Sequence, residues 1–268
     1  MERFEIDGPA GRLRGWVAGP RDAGPLPVLF VHPINLQGAC WERVADALEP
    51  ARFSMMPDMR GHGASDPGGP YGLEHWSADL LAVMDHFDVE RAHVVGGSLG
   101  GPLSVYLAAE VPERVASMVA IGAALKIEGA DVSAVLEVLR EKGVQGMFRE
   151  VIPEISVAPG TDQAVIERIL ELANPNDIET VGEIWGATIT SDATAYAASV
   201  TCPRLVVTGE HDKTCTPEQG AEMARALGTE LVTMPAVGHL PMVEAPDELA
   251  RLVADFLRAR DAEGSSVR

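Results

Sequence analysis

Short apolar runs, bounded by glycine or proline and separated by longer stretches of helical spacing, constrain this chain more than any other feature. Val28, Leu29, Phe30 and Val31 are four consecutive apolar residues, which suits a strand buried on both faces. Runs of the same kind fall at 53–56, 93–95, 115–121 and 205–208, and helical patterns lie near 41–49, 73–87 and 99–110. Residues 12–18 alternate as an early antiparallel strand would. Strands that alternate with helices imply βαβ units, a mostly parallel central sheet flanked by helices, and therefore the α/β class.

From 126 to 199 the strand signal stops. Leu136 and Leu139, then Val165, Ile166, Ile169, Leu170 and Leu172, recur at helical spacing, and Pro153, Pro159, Gly160 and Pro175 punctuate them. The sheet resumes at 203–207. The expectation is an α/β core over 1–125 and 200–262, with a helical cap over 126–199 inserted after the sixth strand. A closing helix is expected near 246–258, followed by a frayed tail at 263–268. No internal repeat is present.

Composition narrows the function classes. The chain has 268 residues, 46% hydrophobic and 23% charged, enough to build a substantial core without disulfides. Lys and Arg number 21 against 40 Asp and Glu, a net charge of −19. Such a surface repels phosphate backbones and anionic lipid, which argues against nucleic-acid and membrane partners. Cys40, Cys202 and Cys215 show no CxxC spacing, which argues against a disulfide framework or a cysteine-rich zinc site. The opening residues Met1-Glu2-Arg3-Phe4-Glu5 lack a basic patch with an apolar run behind it, and no stretch approaches the length of a membrane span. A cytoplasmic protein acting on a small molecule is the expectation, and nothing in the sequence specifies an oligomeric state.

Gly96-Gly97-Ser98-Leu99-Gly100 places Gly-x-Ser-x-Gly between an expected strand and an expected helix. A tight strand-to-helix turn lifts the serine into a strained, exposed position, and small neighbours avoid clashes across it. A serine at its ordinary pKa is a poor nucleophile and needs a base oriented by an acid. Of the seven histidines, His75 and His86 fall on a helical stretch as surface residues, and His93 sits in a strand and reads as core. His239 lies in a Gly/Pro-rich loop, 235–241, after the last strand. Asp212 falls at the carboxyl end of the preceding strand, where open α/β sheets place ligand-facing groups. Glu210 is the nearest rival acid and Asp192 a more remote one. The order Ser, Asp, His along the chain matches one known arrangement of such a triad.

Four segments together resemble the α/β-hydrolase-fold serine hydrolases, of the esterase and enol-lactonase type. They are 30–35 (Phe-Val-His-Pro-Ile-Asn), 57–66 (Pro-Asp-Met-Arg-Gly-His-Gly-Ala-Ser-Asp), the serine turn, and 208–212 (Thr-Gly-Glu-His-Asp) with Gly238-His239 and Glu244-Ala245-Pro246. The likeness covers roughly 26–122 and 203–258. It implies Ser98 as nucleophile, His239 as general base and then acid, and Asp212 as the group fixing the imidazole. It also implies an oxyanion hole made by the backbone N–H of Leu99 and a second N–H from the loop after the first long parallel strand. Relatives usually carry His-Gly in that loop, whereas this chain has His32-Pro33. Proline has no N–H, so the second donor falls to Ile34. Pro33 also stiffens the loop and brings Asn35 toward the expected pocket.

The resemblance requires no metal or organic cofactor. His32 is expected to support the oxyanion loop, and the 58–63 segment, with His62, to be structural. Trp185 is a candidate substrate contact, although an apolar cap stripe containing Trp185, Met147 and Phe148 reads first as packing. Lys126, Arg140, Lys142, Arg149 and Arg168 leave a carboxylate-bearing substrate open. The alternatives on the same fold are C–C bond hydrolysis, cofactor-free lyase or perhydrolase chemistry, and receptor-like ligand binding. Carbon–carbon hydrolases of this fold usually place Asn before the serine and a glycine run in the oxyanion loop, where this chain has Gly97 and Pro33. Plant-type hydroxynitrile lyases carry lysine after the histidine, where this chain has Leu240.

Overall fold

A computed structural model describes residues 1–21, 24–127 and 132–265. Eight strands form one sheet: β1 (Glu2–Gly8), β2 (Gly11–Ala18), β3 (Val28–Val31), β4 (Ser54–Asp58), β5 (Ala92–Gly97), β6 (Val115–Ile121), β7 (Arg204–Gly209) and β8 (Leu231–Met234). Their order across the sheet is β1-β2-β4-β3-β5-β6-β7-β8. β2 pairs antiparallel with β1 and with β4, and all pairs from β4 through to β8 are parallel. The chain steps from β3 outward to β4, then returns to place β5 on the other side of β3. The carboxyl ends of β3 and β5 therefore flank a crevice at which strand order reverses, the usual ligand position in such sheets.

Alternate residues along the central strands serve two cores. Leu29, Val31, Val94, Met118, Ala120 and Val206 pack on one face, while Val28, Phe30, Val95, Val119, Ile121 and Val207 pack on the other. This period-2 division is why these strands read as continuous apolar runs: both faces are covered. The helices are α1 (Glu42–Asp46), α2 (Leu73–His86), α3 (Gly100–Glu110), α4 (Val132–Val151), α5 (Gln163–Glu171), α6 (Ile178–Thr190), α7 (Pro217–Leu227), α8 (Pro241–Glu244) and α9 (Pro246–Ser265). In α2, Leu73, Trp76, Leu80, Val83 and Met84 present one apolar stripe to the first face. Leu249, Val253 and Leu257 of α9 cover the second.

Between β6 and β7 the described residues form α4, α5 and α6, as the helical spacing predicts, with α4 interrupted at Gly143, whose φ of 67° and ψ of 174° are not helical. Asp162 and Asp177 cap α5 and α6 through their carboxylates. The closing helix continues to Ser265, beyond the expected 258 and into the tail expected to fray from 263; residues 266–268 lie outside the described residues. Among the described residues no helix is long and apolar enough to cross a membrane.

Candidate active site

Ser98 sits in the turn between β5 and α3 with φ of 51°, a left-handed conformation rare for a residue with a side chain. The glycines on either side make that turn possible. A Cβ on Gly96 would meet the Gly100 carbonyl oxygen at 2.0 Å, and one on Gly100 would meet the Val31 oxygen at 2.5 Å. The Ser98 amide donates to Ile121 O at 2.9 Å, which anchors the strained turn to β6.

Three side chains from separate turns converge here. Ser98 Oγ donates to His239 Nε2 at 3.0 Å, and His239 Nδ1 donates to Asp212 Oδ2 at 2.9 Å. Asp212 accepts two further bonds on Oδ1, from the amides of Thr214 at 2.9 Å and Cys215 at 2.8 Å. A carboxylate is an acceptor only, so His239 carries its proton on Nδ1 and leaves Nε2 free to accept from the serine. All three residues are buried. Neither rival acid reaches this ring. Glu210 is exposed and accepts from the Ala236 amide, while Asp192 caps Thr194 at the surface.

Ile34 and Leu99 both line the cavity above Ser98, as does Pro33. Among the described residues, neither the Ile34 nor the Leu99 amide has a hydrogen-bond acceptor. His32 shapes the loop: its Nε2 accepts from the Met59 amide at 3.0 Å and its Nδ1 donates to Pro33 O at 2.8 Å. Burial lowers its pKa to about 4, so the ring is neutral, as this bonding requires. Asp58 ties the next turn by accepting from the amides of Gly38 at 2.7 Å and Ala64 at 2.9 Å. His62 is fully buried at 4.8 Å from the His32 ring and stands away from the serine's hydrogen-bond chain.

Two sequence expectations need correction. Asn35 does not line the cavity. Its left-handed backbone (φ 56°) turns the chain so that Ile34 before it and Leu36 after it face the cavity, and its own side chain is fully buried. Trp185, Met147 and Phe148 are not packing alone: all three line the cavity.

Two positioning residues escaped the sequence reading. Glu244 gathers the histidine loop, accepting from the amides of Gly238 and Leu240 at 3.0 Å each and of Ala158 at 2.9 Å. Asn174, from the helical segment, donates its amide to Asn35 O at 2.8 Å and its side-chain nitrogen to Gly61 O at 2.8 Å. The only signal for Glu244 was its presence in a family segment. Asn174 had none, because its partners are backbone atoms far along the chain.

A family model for the alpha/beta hydrolase fold matches residues 27–246, and the chain belongs to that family. It is 24% identical over 236 residues to 3-oxoadipate enol-lactonase 2 of Acinetobacter baylyi, covering 86% of this chain and 88% of that protein. It is 33% identical over 173 residues to the rhodomycin D methylesterase DauP of a Streptomyces species, covering 58% of this chain and 56% of that one. The enol-lactonase from Burkholderia xenovorans LB400 superposes with a TM-score of 0.88 at 26% identity, covering 95% of this chain and all of its own.

Proposed function

We propose that the protein is a serine hydrolase that cleaves a carboxylic ester or lactone of a small molecule through an acyl-enzyme on Ser98. The observation that carries this reading is the unbroken hydrogen-bond chain from Ser98 through His239 to Asp212, set beneath a cavity lined by the bearers of two unengaged amides. Relatives named for enol-lactone and methyl ester cleavage are in keeping with it. In this reading residues 126–199 act as a cap over a core formed by 1–125 and 200–262.

Ser98 Oγ attacks the carbonyl carbon while its proton passes to His239 Nε2. The carbonyl oxygen becomes an oxyanion held by the Leu99 and Ile34 amides, each such donor being worth about 10²–10³ in rate. His239 then gives the proton to the departing alkoxide, and the acyl group remains on Ser98. Water loses a proton to Nε2 as it attacks the acyl carbon, and collapse returns that proton to Ser98 Oγ and frees the acid. A lactone follows the same path with its leaving oxygen still tethered. Asp212 holds the tautomer throughout and offsets the charge on the imidazolium.

A fluorophosphonate probe is expected to label the protein at Ser98, and aryl acetates to be hydrolysed. Ser98→Ala should abolish both. Equal labelling of the alanine variant would overturn the assignment.

A further inference from the structure

We propose that the cavity above Ser98 selects esters or lactones whose bulk is uncharged hydrocarbon and discriminates against those bearing a carboxylate. This rests on the hydrolase reading and names its substrate class. The cavity holds about 360 Å³, within the usual range for small-molecule sites. Its walls are apolar on both sides: Ile34 and Leu99 from the core, and Met147, Phe148, Ile152 and Trp185 from the helical segment. The apolar character continues to the mouth, where Ile127 and Ile155 line the cavity while each remains 37% exposed.

An anionic substrate needs a cation or several free donors, because an unpaired carboxylate in an apolar site is costly. Lys126 is the one charged side chain among the described lining residues, His239 aside. Its backbone pairs with that of Asp192 in an antiparallel bridge, and its charge helps, after the Thr194 hydrogen bonds, to lower the Asp192 carboxyl, so this cation is shared with an acid of the protein itself. The other cations of this segment do not line the cavity. Lys142 pairs with Glu150, Arg168 with Glu171 and Glu42, and Arg140 and Arg149 are exposed. The lining hydroxyls of Thr188, Ser191 and Thr214 donate to the backbone oxygens of Ile184, Ala187 and Ile155, which among the described residues leaves Ser156 and Gln219 as the lining hydroxyl and amide side chains, besides Ser98, with a donor to offer. A net charge of −19 opposes anion entry as well.

The test compares p-nitrophenyl esters of rising acyl length, and p-nitrophenyl hexanoate with the p-nitrophenyl monoester of adipic acid, which differs by a terminal carboxylate. The kcat/KM is expected to rise about three- to fourfold per methylene until the cavity fills. The hexanoate is expected to exceed the adipate monoester by about 100-fold or more, in line with the cost of an unpaired buried charge. Ile155→Lys, which sets a cation at the mouth, should narrow that ratio at least about tenfold, the sign of a charge-based preference. Binding of methyl hexanoate and monomethyl adipate to Ser98→Ala, read by calorimetry, reports the same preference without turnover. Acetate hydrolysis with a flat chain series, or an adipate monoester turned over or bound as well as its neutral match, would overturn the substrate class while leaving the hydrolase reading standing. Absence of both ester turnover and Ser98 labelling would instead remove the hydrolase reading, and the calorimetric pair would then decide the cavity's preference alone.

Discussion

At Asp212 one carboxylate does two things: Oδ1 accepts from two backbone amides that fix its own turn, and Oδ2 accepts from the His239 Nδ1–H. Asp212→Asn can keep the first role through its carbonyl oxygen but turns an N–H donor toward Nδ1. The imidazole must then flip its tautomer and present a proton, not a lone pair, to Ser98. Turnover is expected to fall about 10⁴-fold with the fold intact. Glu210→Gln, whose carboxylate meets the Ala236 amide and the exposed His211 ring but not His239, should leave turnover near that of the parent. Steady-state kinetics with circular dichroism check both, and an unaffected Asp212→Asn would move the acid elsewhere. The candidates Ser98, Asp212 and His239 were legible in the sequence because each falls in a turn of small or polar residues that follows a strand. Asn35 was misread because its side-chain direction depends on a left-handed backbone that no residue pattern announces.

Elements rather than residues set the loop proposed to hold the oxyanion. The loop after β3 has few bonds of its own, and the helical segment holds it from outside through Asn174 and through Gln37 Nε2 donating to Leu172 O at 3.3 Å. Asn174→Ala removes the side-chain tie to Gly61 and loosens the segment whose amide holds Asn35 O. Its kcat is expected to fall about tenfold or more, as for a partly displaced oxyanion donor. An alkyl boronic acid, which mimics the tetrahedral oxyanion, should bind correspondingly less tightly, while the affinity for a simple alcohol product stays unchanged. A merely structural role would weaken both ligands alike. Glu244→Gln tests the other side of the cavity, since an amide cannot accept from Gly238, Leu240 and Ala158 together. Losing a charge-assisted set of this kind costs about 1.5–3 kcal/mol, and the melting temperature should drop by several degrees. The central strands and α2, α3 and α9 were readable from periodicity. The edge strands were not: β1 buries only Ile6, and β8 is four residues long with one buried, so neither shows a distinctive apolar run. In the helical segment, proline punctuation and the break at Gly143 hid where each helix starts.

Over the whole molecule, buried imidazoles decide how the fold responds to acid. His32 and His93 are lowered by burial to about 4, and His62 is held well below the ordinary histidine value for the same reason. For His93 the Arg52 guanidinium adds to the effect of burial, and Asp261 opposes it. An unfolded histidine takes its proton near 6.5. Between 6.5 and about 4 the unfolded chain thus binds more protons than the folded one, and stability falls as pH falls. Asp58, raised by burial to about 6, and Asp79, raised by burial in spite of its pairing with Arg60, act the other way, since the folded chain protonates them first. Three rings against two carboxyls leave a net loss of about 1.4 kcal/mol per pH unit for each uncompensated proton. The expected profile is a melting temperature flat above pH 7 that drops by a few degrees per unit between pH 6 and 4.5. His93 is the ring to alter, because it contacts Ser117 and Asp261 near the start of β5, at the opposite end of that strand from the turn that carries Ser98. In His93→Gln the decline over that window should become shallower by about one proton's share while ester turnover at pH 7.5 is retained. Calorimetric scans of parent and variant across the window check it, and a His93→Gln profile as steep as the parent's would show that His93 does not contribute to the decline.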